Sequence, residues 1–256
     1  VAATADDTEE HTAGPASPSP PARRRMGPGA MLVSALGELL ITAGLVLGLF
    51  VVYSLWWTNV LADRAADKQA DEVRDTWAQG PGAGAGDGDG PATFDSKNGI
   101  GFLHVPAMGG DDILIEKGTT MKVLNDGVAG YYTDPVKATL PTSGKKGNFS
   151  LAAHRDGHGA KFHDIHKIKD GDPIVFETKD TWYVYKTYAI LPETSKYNVD
   201  VLAKVPEESG RKKAGHYITL TTCTPVYTSK YRYVVWGELV RTEKVDEDRT
   251  PPEELR

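Results

Sequence analysis

The chain has 256 residues, a formal net charge of −6 and a single cysteine. That length fits one domain of ordinary size with appendages, the acidic balance argues against a nucleic-acid binder, which would carry a basic patch, and one cysteine excludes an internal disulfide. The first residue is Val1, and further residues are expected ahead of it.

Residues 1–30 are rich in Ala, Pro, Ser and acidic side chains and end in PARRRMGPGA. Such a segment buries too little apolar surface to order itself, and we expect a disordered tail. Residues 31–57, MLVSALGELLITAGLVLGLFVVYSLWW, satisfy the requirement of about 20 apolar residues for a membrane span. Glu38 then sits near one membrane face, and Tyr53, Trp56 and Trp57 suit the other interface. The run exceeds the apolar region of a signal peptide, no small-residue cleavage site follows closely, and a core helix would show a polar stripe. A retained transmembrane helix is therefore expected. The Lys/Arg counts tie across it (Arg23, Arg24 and Arg25 against Arg64, Lys68 and Arg74), and only the clustering of the leading arginines favours an N-terminus inside.

Over 58–91 a charged helical stalk, NVLADRAADKQADEVRDTWAQ, precedes a glycine-rich linker. A phosphate-cradling loop would need a strand before the glycines and a helix after them, and neither pattern is there. From residue 92 short apolar or β-branched runs alternate with turn signals: IGFLHVP, DILIEK, NFSLAAH, DPIVFET, WYVYKTYAIL, YITLTTC and YRYVVWGELVRTEK. Seven or eight such strands over 92–244 predict a mainly β fold, an antiparallel barrel or sandwich, with short helical segments near 119–124, 161–165 and 199–205. Residues 245–256 read as a C-terminal tail.

In YITLTTC the alternation places Tyr217, Thr219, Thr221 and Cys223 on one face and Ile218, Leu220 and Thr222 on the other. Pro225 ends the strand. If this run pairs with YRYVVWGEL as a hairpin, Cys223 and Arg232 share one rim, and a cation beside a thiol favours the thiolate nucleophile. Of four clustered histidines, His154, His158, His163 and His166, His154 closes a strand and is the candidate proton-transfer partner. Their spacing fits a zinc site poorly, and no metal is expected. These residues alone leave two readings of Cys223 open, a packed small hydrophobe and a reactive thiol.

At these positions the sequence resembles the sortases. Their T-L-x-T-C motif is matched by Thr219–Cys223, their early-strand arginine by Arg232, and their A-G-H-R pattern by LAAHR, with Ala153 in place of the glycine before His154. The resemblance covers about 92–244. It implies an eight-stranded sortase β-barrel and a cysteine transpeptidase without cofactor or metal. In that reaction the enzyme cuts a C-terminal sorting signal of an exported protein between Thr and Gly. It then passes the thioacyl group to a peptidoglycan-precursor amine. Cys223 is implied as nucleophile, His154 as general acid/base and Arg232 as the oxyanion- and substrate-holding cation, with Thr222 a substrate-binding residue. Where many members read G-H-Y, this chain has VAGYYTD; Tyr131 there resembles class E sortases and implies an LAxTG signal, with Tyr132 pointing the opposite way. The resemblance also implies a single-pass membrane protein with a cytoplasmic N-terminus, an extracellular catalytic domain, contact with membrane lipid and no nucleic-acid partner. A membrane-tethered cysteine hydrolase and a displayed, non-catalytic binding barrel are the competing readings.

Overall fold

The computed structural model describes residues 27–78, 99–110 and 112–256. The tail expected over 1–30 lies almost entirely outside them, as does the glycine-rich linker. The described chain divides after Leu49. Helix α1 (Pro28–Val52), all but its last three residues in the first part, begins slightly before the expected span, has mean hydropathy 2.3 and buries none of its side chains. Its 25 residues extend about 37 Å at 1.5 Å per residue, enough to cross a hydrocarbon core of about 30 Å. Tyr53–Trp57 continue the helix as one π-helical turn, and α2 follows over Thr58–Ala78.

The second part, Phe50–Arg256, contains a closed barrel of eight strands. The strands are β1 (Gly101–His104), β2 (Ile113–Lys117), β3 (Ala129–Tyr131), β4 (Gly147–Ala152), β5 (Pro173–Glu177), β6 (Thr181–Ser195), β7 (His216–Thr224) and β8 (Tyr231–Lys244). Their order around the barrel is β1-β2-β3-β4-β7-β8-β6-β5. The barrel is mixed rather than antiparallel: β2 runs parallel to β3 and β4 parallel to β7. Each parallel pair needs a crossover. The first passes through a short helix, α3 (Met121–Leu124), and the second carries the whole β5–β6 hairpin between its partners.

Period-two alternation builds the interior. Phe149 and Leu151 on β4, Ile218 and Leu220 on β7, and Val235 on β8 join the main core. The opposite faces of these strands are also covered. An excursion between β6 and β7 lays Val201 and Leu202 on Val234 and Trp236. Trp236 Nε1–H donates to the Val201 carbonyl at 3.0 Å and Asn148 Nδ2 to the Ala203 carbonyl at 3.1 Å, so these buried polar groups are satisfied.

Two segments without an assigned partner in the sequence pattern pack on the barrel. In α2, Ala66, Val73 and Trp77 bury against Phe102, Leu114 and Val128, with Trp77 edge-on to Phe102. At the C-terminus, Val245 and Leu255 pack on Val175, Trp182 and Val184. A charge network ties both segments to the sheet. Buried His104 donates from Nδ1 to Asp112 and from Nε2 to Glu177, each at 2.9 Å. Arg74 from α2 pairs with Asp112, and Arg249 reaches the other Glu177 oxygen at 2.6 Å.

Candidate active site

Strand register assembles the site at one rim. β7 and β8 form the expected hairpin, with Cys223 directly opposite Arg232 and Thr224 opposite Tyr231. On the other side of β7, Ala152 of β4 pairs with Thr221, and the Ala153 N–H donates to the Thr221 carbonyl. His154, the next residue, therefore leaves β4 beside the end of β7. Cys223, His154 and Arg232 all line one cleft of about 340 Å³, walled by the β6–β7 excursion and α3. Cys223 is half-buried, as a nucleophile open to a substrate must be.

His154 Nε2 lies 2.9 Å from the side-chain carbonyl of Asn125, at the C-terminal end of α3. A carbonyl can only accept, so Nε2 carries the proton and Nδ1 is the basic nitrogen of the neutral ring. Burial and the neighbouring His158 hold the His154 imidazole below the ordinary histidine range, against an upward pull from Asp156. A histidine neutral near pH 7 can accept a proton. Arg232 Nη1 donates to the Tyr231 carbonyl at 3.0 Å and the Ser229 carbonyl at 3.3 Å, which fixes the guanidinium at the start of β8.

The two tyrosines separate as alternation requires. Tyr131 points into the barrel and joins the core, away from the cleft. Tyr132 lines the cleft, and its hydroxyl meets Thr221 Oγ1 at 2.9 Å. Burial raises its phenol pKa, Thr221 and Arg232 draw it down and Cys223 pushes it up; all three groups line the same cleft. Of this pair, then, Tyr132 is the aromatic that reaches the cleft and Tyr131 the one in the barrel core. The reason is parity: Tyr131 shares its face with core residue Ala129. Thr222 borders the cleft, yet it is buried and its hydroxyl donates to the Ala153 carbonyl at 2.7 Å, directly before His154.

Two contributors escaped the sequence reading. Asn125 sits in a turn, 29 positions before His154, with no local signal of the contact. Arg155 is a buried cation whose Nη1 donates to Thr224 Oγ1 at 3.3 Å, beside Cys223. His163 Nδ1 bonds the Arg155 carbonyl at 2.8 Å.

Comparison with known proteins places the chain in a family. A family model described as a Sortase domain matches residues 103–240. Sortase SrtE2 of Streptomyces coelicolor is 76% identical over the full length of both chains. Sortase SrtE1 of the same organism is 46% identical over 85% of this chain, which spans 60% of that protein's length. The crystal structure of S. coelicolor sortase E1 with a tripeptide in its active site superposes with a TM-score of 0.58. That match has 45% identity and covers 62% of this chain and 96% of the solved one. Sortase E from Streptomyces avermitilis gives a TM-score of 0.53 at 33% identity, over 62% of this chain and 97% of its own. The chain belongs to the sortase family of cysteine transpeptidases.

Proposed function

We propose that the protein is a membrane-anchored sortase that cleaves an LAxTG-type sorting signal between Thr and Gly and joins the released acyl group to a peptidoglycan-precursor amine. The observation that carries the reading is the register of β4, β7 and β8, with Cys223 opposite Arg232 at the mouth of a cleft that His154 also lines.

In the first half-reaction the neutral His154 takes the Cys223 thiol proton, and Sγ attacks the Thr carbonyl carbon. The new S–C bond creates a tetrahedral oxyanion, and Arg232 supplies a fixed cation against it. Collapse breaks the C–N bond, and His154 gives a proton to the departing glycine amine. In the second half-reaction the acceptor amine attacks the thioester carbonyl, His154 takes its proton and the S–C bond breaks. The thiolate is then ready for another turnover. Tyr132 is the proposed contact for the residue before the variable position of the signal, and Thr222 acts by holding the His154 strand end. Support for the anchor is the length and apolar surface of α1; the proposed orientation, N-terminus inside and barrel outside, puts the cleft where exported substrates are met.

The test uses the full chain in detergent micelles, an LAxTG peptide and a short glycine amine, with products read by mass spectrometry. The ligated peptide is the expected product. Cleavage without ligation would make the protein a hydrolase. No product, with Cys223→Ala binding the peptide as tightly as the parent, would make it a binding barrel.

A further inference from the structure

The loop after His154 is conformationally costly. Gly157, His158, Gly159 and Ala160 all adopt positive φ, at 65°, 47°, 78° and 40°. Left-handed residues occur as isolated positions, because the Cβ of His or Ala crowds the following carbonyl. A run of four, two of them not glycine, persists only where surrounding structure holds it. The loop must also be accurate, since the His158 ring packs on His154 with centroids 5.5 Å apart.

Helix α2 does the holding. Asn59 Oδ1 accepts the Gly159 N–H at 3.0 Å, and Asp63 Oδ1 meets Lys161 Nζ at 2.9 Å. The Asn59 bond lies at the centre of the left-handed run. Between these contacts Ala62 reaches the turn after α3. A Cβ on Gly127 would stand 2.8 Å from the Ala62 carbonyl oxygen. A Cβ on Gly159 would stand 3.1 Å from both Asp63 Oδ1 and the Gly127 Cα. Two glycines and one alanine thus let three backbones meet. That turn also carries Asn125, two residues before Gly127, whose side chain holds His154 Nε2. Both supports of the His154 ring, Asn125 and His158, are braced by one face of α2.

We infer that the first two turns of α2, which lie outside the matched Sortase domain, position the catalytic apparatus, with Asn59 and Asp63 as positioning residues for His154. The inference rests on the acid/base role proposed for His154. A partly exposed ion pair such as Asp63–Lys161 stabilises little, so its effect belongs in the geometry of the loop. The groups facing His154 are Asn125 from the α3 turn and Asp156 and His158 from its own loop, with Cys223 of β7, Arg232 of β8, Asp134 and Lys196 lining the same cleft.

The experiment uses the full chain in micelles, with ¹³C-labelled histidine; the His154 signal is the one lost in His154→Gln. Asn59→Ala/Asp63→Ala should move the His154 titration up toward the ordinary histidine range. It should also lower the first-turnover rate on the LAxTG peptide about tenfold with KM unchanged, as a small misplacement of a catalytic group does. Asp63→Lys should have the same effect, and Lys161→Asp added to it should restore most of the loss. Val73→Ala, at the far end of α2, should lower the melting temperature and leave the titration and rate as they were. The inference is overturned if Asn59→Ala/Asp63→Ala melts earlier with an unmoved His154 titration, or if Val73→Ala moves the titration equally. If the parent turns over no peptide, the assigned reaction fails, and the His154 titration alone decides whether α2 holds the loop.

Discussion

At the scale of single residues, the Tyr131–Tyr132 pair shows how one step along the chain changes a side chain's surroundings. Tyr131 fills the barrel, whereas Tyr132 stands in the cleft bonded to Thr221. A phenol placed against the sorting signal discriminates by the hydrogen bond it offers or leaves unmade. Tyr132→Phe is expected to reduce the preference for LAxTG over LPxTG peptides about tenfold, measured as the ratio of kcat/KM values. Tyr131→Phe should leave that ratio unchanged. The reverse pattern would assign the recognition role to Tyr131. Alternation already required that only one of the two could face out. What the local pattern lacked was the parity of the strand, because β3 is three residues long and its register is set by β2 and β4.

At the scale of elements, the best-read strands were the ones with a long alternating run. β7 and β8 were legible down to the shared rim of Cys223 and Arg232, because a turn of about six residues leaves a hairpin as the natural connection. Parallel pairing was hidden, since no local signal marks a strand whose partner lies beyond a crossover. Docking of α2 was hidden as well. Its buried side chains, Ala62, Ala66, Val73 and Trp77, follow helical spacing but include two alanines amid dense charge. The C-terminal segment looked polar for a similar reason, as Arg249 does its work through Glu177 and the ring of Trp77.

The network around His104 makes a prediction at this scale. Burial alone would lower the His104 pKa, but hydrogen bonds to Asp112 and Glu177 outweigh it, and the net direction is upward. A raised folded pKa gives stability that is present below the unfolded value near 6.5 and lost as pH rises through the folded value. His154 has the opposite sign: its depressed pKa gives stability above 6.5 that is lost as pH falls through the folded value. His104→Gln should therefore cost about 2 kcal/mol at pH 6 and clearly less at pH 9, read from denaturant unfolding. An equal cost at both values would show that His104 is not the charged centre of the network.

At the scale of the whole molecule, catalytic chemistry, the barrel and two flanking segments form one structural unit from Phe50 to Arg256. The matched domain, residues 103–240, holds all three proposed catalytic side chains, while α2 and the C-terminal segment add contacts on its outside. The family was legible in the sequence, and so was the meeting of Cys223, His154 and Arg232 at one rim, because each closes or opens a strand beside a recognisable motif. The bracing of His154 was not, because Asn125, Asn59 and Asp63 meet its loop only through tertiary contact. The central claim is that Cys223 carries the acyl group between the two half-reactions. Its most direct test is the intact mass of the full chain mixed with an LAxTG peptide and no amine acceptor. The account predicts an adduct of the peptide through its threonine, located on Cys223, discharged on adding a glycine amine and absent from Cys223→Ala. Turnover of the peptide by Cys223→Ala at the parent's rate, or ligation with the adduct on another residue, would contradict it.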